Sequence, residues 1–193
     1  MYNSIAITSA KKEIISNRTV IGLIGTLLFM ALTALGAHVY IPLSFTPVPI
    51  TLQTFFVLLS GALLGKRLGP LSQSLYIAMG ATGAGIFFSG SSGLAYIMGP
   101  TGGYLIGFVV ATYLMGRILR NRDSLAAIII AMVIGELTIL SFGVLWLCAG
   151  LKFSLNQAIY MGAIPFIAGD IVKLLAASLI CNRYLGRAKR LFY

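Results

Sequence analysis

Residues 20–39 read VIGLIGTLLFMALTALGAHV, twenty consecutive positions without Asp, Glu, Lys or Arg. An α-helix needs about twenty such residues to cross the hydrocarbon core of a bilayer. A signal peptide has an apolar region of only about 7–15 residues, so we interpret this run as a retained first helix. The rest of the chain has the same character: 59% of its residues are hydrophobic, 9% are charged and its mean hydropathy is +0.97. Because globular proteins carry about 25% charged residues, residues 1–193 are predicted to form a single transmembrane domain with a short cytoplasmic tail, 1–19.

The chain divides into six apolar spans separated by polar residues or by Gly and Pro. The predicted spans are Val20–Val39, Thr51–Gly65, Leu71–Phe88, Gly102–Arg117, Leu125–Gly150 and Gln157–Cys181. The second and fourth are short for a bilayer, and short spans are tolerated where they line a cavity instead of facing lipid. The sequence therefore predicts an all-α membrane bundle that contains a pocket.

Basic residues cluster at alternate ends of these spans. With the N-terminus inside the cell, twelve of the 14 Lys and Arg residues fall in the cytoplasm, which leaves Lys152 in an outer loop and Lys173 within the last span. This alternation follows the positive-inside rule and predicts both termini in the cytoplasm, in a multi-pass protein of the cytoplasmic membrane. It also explains the net charge of +10 without a nucleic-acid partner, because no basic face of a folded domain is needed.

Two segments on the predicted outer side are unusual. Tyr40–Ile50 contains three prolines, which exclude helix and favour an extended backbone. Ser89–Thr101 is rich in Gly and Ser, and glycine permits tight turns and a close approach of the backbone to a ligand. We infer that these segments cover a site that opens outward; the alternative is that they are merely packed loops.

Ionisable groups within the spans are few. Glu13 and Asp123 lie in predicted cytoplasmic segments, whereas Glu136, Asp170 and Lys173 lie inside spans. An ionisable side chain at membrane depth is costly unless it is paired or faces water, which makes these three functional candidates.

Asp170 and Lys173 share one helix face because they are three residues apart. If the last helix starts near Pro165, the pair lies about 8 Å from its outer end. A bare internal ion pair is the alternative to a binding role. Glu136 is predicted to lie too deep for this mouth and to bond a neighbouring helix.

Other polar and small side chains have weaker claims. Gln53, after the proline segment, could both donate and accept hydrogen bonds, or it could be ordinary interfacial polarity. Tyr40 and Tyr104 lie near the same membrane face, where aromatic residues are often only belt residues, and His38 is predicted to be structural. Small residues in the first span indicate close helix contacts, either with a partner subunit or within the bundle. They are Ala31, Ala34 and Ala37.

No catalytic or metal-binding pattern is present. Serine-hydrolase, zinc-protease and ATP-binding motifs are absent, and Cys148 and Cys181 lie in apolar runs without a metal-type spacing. No catalytic residue, metal or cofactor is predicted. If ATP drives transport, a different chain must bind it.

Several segments resemble the BioY family of biotin-specific substrate-binding (S) components of energy-coupling factor (ECF) transporters. The strongest are Ile41-Pro42 with Thr46-Pro47-Val48-Pro49-Ile50-Thr51-Leu52-Gln53, and the run Gly99-Pro100-Thr101-Gly102-Gly103-Tyr104. Gly61–Gly65 and Gly169-Asp170 followed by Lys173 are also similar to the family. The resemblance extends from Ala31 to Arg183.

This resemblance implies a six-helix S component that works with a transmembrane coupling protein and ATPases, with the first helix as the docking face. It also implies that biotin binds near the extracellular side, with Asp170 and Lys173 bonding its polar groups and Gln53 and the 89–93 loop nearby. From the residues of that mouth we name the candidate contacts Asp170, Lys173, Gln53, Tyr40, Ser89, Gly90, Ser91, Ser92 and Tyr104.

The chain departs from the family pattern at one position, and two rival functions stay open. Some relatives carry an arginine after the Gly-Gly-Tyr run, a candidate partner for the biotin carboxylate, where this chain has Leu105. The carboxylate is then left to backbone N–H groups and hydroxyls of the 89–93 loop, or to solvent. Within the transport class, thiamine or riboflavin is the rival substrate; in another class, the rival is a small membrane enzyme acting on lipid.

Overall fold

The computed structural model describes residues 18–193. Residues 1–17 of the predicted cytoplasmic tail, which include Lys11, Lys12 and Glu13, lie outside the described residues. Seven α-helices and one pair of short strands make up the described chain. They are α1 Arg18–His38, β1 Tyr40–Ile41, β2 Ile50–Thr51, α2 Gln53–Ala81, α3 Leu94–Ile97, α4 Gly102–Leu119, α5 Leu125–Leu151, α6 Leu155–Gly162 and α7 Ile167–Phe192. Short 3₁₀ turns at Phe88–Gly90 and Ile164–Phe166 complete the fold.

Five helical stretches among the described residues are long and apolar enough to cross a membrane. They are α1, α2, α4, α5 and the stretch Leu155–Phe192, which contains α6 and α7. The prediction of a mainly helical membrane protein is therefore confirmed.

The predicted second and third spans are the two arms of α2. The backbone leaves helical geometry at Gly65, where φ is +76° and ψ is −175°. Gln73 Nε2 donates to Ser60 Oγ over 3.0 Å, and Gln53 Nε2 donates to the Tyr76 hydroxyl over 2.6 Å. Since these partners lie progressively farther from Gly65 in opposite directions along the chain, the arms run antiparallel. The positive φ favours glycine, which adopts it without a steric penalty.

The third span ends earlier than predicted. Its helix stops at Ala81 instead of continuing to Phe88. Gly83 and Gly85, which follow, both take positive φ and lead the chain into a turn.

The predicted sixth span, Gln157–Cys181, is wrong as a single helix. The short helix α6 begins after Ser154, whose side chain and that of Gln157 form a capping box. The chain then breaks at Ala163, because Pro165 has no backbone N–H with which to continue a helix. α7 starts at Ile167 and continues beyond the predicted end to Phe192.

α2 occupies the centre of the bundle and packs against α1, α4 and α7. The contact with α4 is very close: a Cβ at Gly116 would lie 2.2 Å from the backbone nitrogen of Lys66, next to the Gly65 turn. On α1, a Cβ at Gly25 would lie 2.8 Å from the ring of Phe192 on α7 and 2.9 Å from Leu64 on α2. Small residues thus bring the backbones together, as is common in membrane bundles.

The three alanines predicted to dock a partner do not share one environment. Ala37 is completely buried inside the bundle, so its assignment as a docking residue is wrong. Ala34 is half-buried and packs on an apolar cluster of the protein itself. Ala31 is exposed. A helical turn has 3.6 residues, so side chains spaced three apart drift around the helix. Ala37 therefore falls on the side of α1 that carries Gly25 and Gly36 and faces the bundle.

The predicted covering segments meet at one end of the bundle, which we call the loop end. β1 and β2 pair antiparallel, with Tyr40 opposite Thr51, and thereby close the proline segment into a hairpin. Its Thr46 hydroxyl donates to the carbonyl of Met161 on α6 over 2.7 Å. Tyr40 packs edge-on against Phe88 of the second segment, with ring centroids 4.5 Å apart. The extended backbone expected from the prolines is thus present only next to the strands, and the two segments lie together over the helices.

Candidate functional site

A central cavity of about 540 Å³, its open mouth included, lies under the loop end. This size is in the range of small-molecule binding sites. Residues of the proline segment, α2, α3, α4, α5 and α7 contribute to its wall. The lining residues are Val48, Pro49, Thr51, Gln53, Thr54, Tyr96, Thr101, Tyr104, Leu105, Phe108, Glu136, Ile139, Leu140, Phe166, Asp170 and Lys173.

Asp170 and Lys173 form an ion pair on the cavity wall. Asp170 lies in the first turn of α7, and its Oδ1 is 2.6 Å from Lys173 Nζ. Both side chains are largely buried, with 6% and 11% of their surface exposed. Their spacing of three residues places them on one helix face, as the sequence indicated.

Lys173 also ties α7 to the start of α2. Its ammonium donates to the carbonyl of Thr51 over 3.1 Å and to the hydroxyl of Thr54. Three donors are available on a lysine ammonium, and Asp170, Thr51 and Thr54 supply an acceptor for each. Lys173 is therefore held in place at the point where the β-hairpin enters α2.

Gln53 lines the cavity, but its amide is already bonded within the protein. Nε2 donates to the Tyr76 hydroxyl, and Oε1 accepts from the Thr51 hydroxyl over 3.2 Å. The Tyr76 hydroxyl in turn donates to the carbonyl of Ile86 over 3.2 Å. Gln53 thus links the first helical arm to the second and to the segment that follows it.

Tyr104 forms another part of the wall. Its hydroxyl donates to the Gly162 carbonyl over 2.6 Å, which holds α4 against the end of α6. Gly143 of α5 leaves room for the ring, because a Cβ there would lie 2.2 Å from it. Tyr104 consequently presents an aromatic surface to the cavity, while its hydroxyl is bonded to the protein.

The remaining predicted contacts do not line this cavity. Tyr40 packs on Phe88 at the loop end and is 39% exposed. Ser89 and Gly90 are exposed, whereas Ser91 and Ser92 are half-buried. The turn is closed by the backbone N–H of Phe87, which donates to the carbonyl of Ser91 over 3.0 Å. Their role as ligand contacts stays a prediction. Sequence position placed them over the site, but the direction in which a glycine-rich turn points cannot be deduced from composition.

The structure adds Glu136 to the site. Sequence reasoning placed it too deep along its span, yet it lines the same cavity as Asp170 and only 6% of it is exposed. It lies on the buried face of α5 with Met132, Ile139 and Gly143. The signal that could have found it was this 3–4-residue periodicity of small and apolar residues, which directs Glu136 inward with them.

The rest of the wall is apolar or aromatic. Leu105 is buried, so an aliphatic side chain lines the cavity directly after Tyr104. Tyr96 stacks on Phe87 at 4.8 Å, and its burial raises the pKa of the phenol above its usual value. Tyr96 therefore contributes a neutral aromatic ring and hydroxyl to the mouth.

No group of three metal-ligating side chains occurs within residues 18–193. His38 Nδ1 lies 2.9 Å from the carbonyl of Ala34, one turn earlier on α1.

The cavity has an end with ionisable side chains, formed by Asp170, Lys173 and Glu136, and an aromatic and aliphatic body. Such an arrangement suits a small molecule that carries an amide-like or urea-like group on an apolar skeleton.

Comparison with known proteins agrees with this chemistry. The model of the BioY family matches residues 9–190. The chain is 43% identical to a probable biotin transporter BioY of Pyrococcus horikoshii over 82% of its own length and 93% of that protein. It is 38% identical to the biotin transporter BioY of Thermotoga maritima, over 81% and 90% of the two chains.

A solved structure has the same fold. The crystal structure of the S-component for biotin from an ECF-type ABC transporter superposes with a TM-score of 0.84 at 25% identity. The match covers 92% of this chain and 98% of that one. Sequence and fold therefore agree, and the chain belongs to the BioY family.

Proposed function

We propose that this protein is a membrane transporter component that captures biotin in the central cavity and mediates its uptake. The observation that carries the proposal is the buried Asp170–Lys173 pair at one end of an otherwise apolar cavity. A ureido ring offers two N–H donors and one carbonyl acceptor, which complement a carboxylate and an ammonium. The relatives in the family are named biotin transporters, which supports transport over catalysis.

The remaining wall suits the other parts of biotin. Phe108, Ile139 and Phe166 provide apolar surface for the thioether ring and the valeryl chain. The biotin carboxylate points toward the mouth, where Tyr96 and Thr101 lie and where the 89–92 turn is close by in sequence. With Leu105 in the wall, the carboxylate is bound by hydroxyls, backbone N–H groups and water instead of a cation.

The antiparallel arms of α2 support six membrane crossings in place of five. The Gly65 turn carries Lys66 and Arg67, and the α4–α5 connection carries Arg117, Arg120 and Arg122. A shared cavity lined by Lys66, Arg117, Arg120 and Arg122 brings these groups to one end of the bundle. The positive-inside rule supports the proposal that this end faces the cytoplasm, with both termini on that side and the loop end on the outer side of the membrane.

ATP-driven uptake requires partner chains, because this sequence has no ATP-binding motif. The match to an S-component supports a transmembrane coupling protein and ATPase subunits as those partners. The docking surface that fits best is the outward face of α1, where Ala31 is exposed among large apolar side chains. Those side chains are Leu23, Ile24, Leu27, Leu28 and Leu35.

Titration calorimetry of the purified protein tests the substrate. We expect nanomolar binding of biotin and no binding of thiamine or riboflavin. Binding of either control vitamin in place of biotin would assign a different substrate to the same architecture. Absence of any binding by folded protein would refute the proposal.

A further inference from the structure

Glu136 is the buried acid of the cavity for which sequence and family resemblance supplied no role in ligand binding. It lies with Asp170 on the wall of the central cavity, and the two carboxyl groups are close enough to interact. Both residues also border a second, lipid-facing apolar groove between α5 and α7. The two acids thus form part of the partition between the cavity and the groove.

Apart from the carboxyl group of Asp170, the carboxyl oxygens of Glu136 have no hydrogen-bond partner. More than nine-tenths of the residue is buried, so bulk water does not satisfy these oxygens either. Most buried polar atoms in proteins are hydrogen-bonded, and a buried acid without a donor destabilises the fold. Such a group is retained at a cost, which is typical of a residue kept for ligand binding.

The other polar groups of the wall are already used inside the protein. Lys173 has an acceptor for each of its donors, Gln53 is bonded through both ends of its amide, and the Tyr104 hydroxyl donates to Gly162. Asp170 can accept one ligand N–H beside its bond to Lys173. A second ligand N–H then needs another acceptor in the wall, and Glu136 offers a carboxyl oxygen that no donor outside the pair with Asp170 occupies.

We propose that Glu136 is a third polar contact for the substrate and accepts one of the two ureido N–H groups. Asp170 accepts the other N–H, and Lys173 donates to the ureido carbonyl in exchange for one of its present bonds to Thr51 or Thr54. This inference rests on biotin as the proposed substrate. It assigns to Glu136 the discrimination between a ring with two N–H groups and a ring with only one.

The test combines a variant with modified ligands. Calorimetry is performed on the wild type and on Glu136→Leu, with biotin and with its two isomers methylated at one or the other ureido nitrogen. Asp123→Leu is the matched control, because Asp123 is an exposed acid in the turn before α5. Thermal unfolding of each unliganded variant in detergent establishes that it is folded.

We expect Glu136→Leu, which has no acceptor at this position, to weaken biotin binding at least tenfold, and Asp123→Leu to leave it unchanged. In the wild type both methylated isomers should bind at least tenfold more weakly than biotin. For one isomer, the loss should be much smaller in Glu136→Leu, because the bond that this methylation removes is already absent.

Three results would overturn the inference. One is wild-type affinity in folded Glu136→Leu. Another is an equal effect of each methylation in wild type and variant. The third, which needs no variant, is a methylated isomer that binds the wild type as well as biotin does. If the wild type itself does not bind biotin, the proposed function fails and this inference fails with it. If the wild type binds biotin but any of the three results is obtained, only the inference is overturned.

Discussion

Removal of the Lys173 ammonium gives the sharpest test of the site. In Lys173→Met a side chain of similar length fills the space, but Asp170 loses its cation while only 4% of it is exposed. Breaking a buried ion pair by removing one partner costs about 3–5 kcal/mol, because an uncompensated charge stays behind. The bonds to Thr51 and Thr54 are lost as well. We therefore expect the free energy of unfolding to fall by about 3 kcal/mol or more.

The double variant Asp170→Asn/Lys173→Met separates the charge from the packing. Because it leaves no unpaired charge at this position, it should be more stable than Lys173→Met alone, and the coupling should exceed about 1 kcal/mol. Unfolding in detergent is followed by the fluorescence of Trp146, the one tryptophan of the chain. Lys152→Met is the control, since Lys152 is exposed.

Biotin binding should fail in both variants of the pair. Each variant lacks the donor to the ureido carbonyl, so calorimetry should register at least a tenfold loss of affinity, equivalent to about 1.4 kcal/mol. The reasoning would be refuted if Lys173→Met were as stable as Lys152→Met and bound biotin as tightly as the wild type.

Three further changes test the helix contacts. Gly65→Ala should destabilise the protein by about 1–2 kcal/mol, because Gly65 has a positive φ. Gly186 lies in a helix with open space around it, so Gly186→Ala should leave stability unchanged or raise it by up to about 1 kcal/mol. Thermal unfolding compares the two variants. Gly143→Ala should push the ring of Tyr104 off the cavity wall and weaken biotin binding more than tenfold, and equal calorimetric affinity would contradict this contact. Ser124→Ala removes the N-cap of α5 and should cost about 1 kcal/mol in the same unfolding assay, and no change would mean that the cap contributes nothing.

Apolar length and charge alternation predicted most of the helices, because these two properties decide how a chain meets a bilayer. α5 is the clearest example: its predicted start at Leu125 is correct, and its end differs by one residue. Breaks within helices were harder to predict. The break at Ala163 lies inside an apolar run, so composition did not divide the predicted span Gln157–Cys181, whereas Lys66 and Arg67 marked the turn at Gly65.

The site was only partly predictable for a related reason. Asp170 and Lys173 are neighbours on one helix, so local geometry alone placed them together. Glu136 is brought to them by the packing of α5 against α7, which depends on side chains distributed over two helices. The 89–92 segment does not line the cavity, and the positive φ values that Ser89 and Gly90 take in its turn could not be deduced from composition.

The unequal helix lengths have a consequence for the surrounding bilayer. The first arm of α2, about 12 residues, is only about 18 Å long, but α1, α4 and α7 surround it, so lipid does not set its length. α5 has 27 residues and extends about 40 Å, with Ile130, Leu137 and Leu145 exposed along it. A hydrocarbon core of about 30 Å accommodates such a helix by helix tilt or local thickening. Hydrophobic mismatch at α5, on the wall that carries Glu136, therefore connects the geometry of the cavity to the thickness of the membrane.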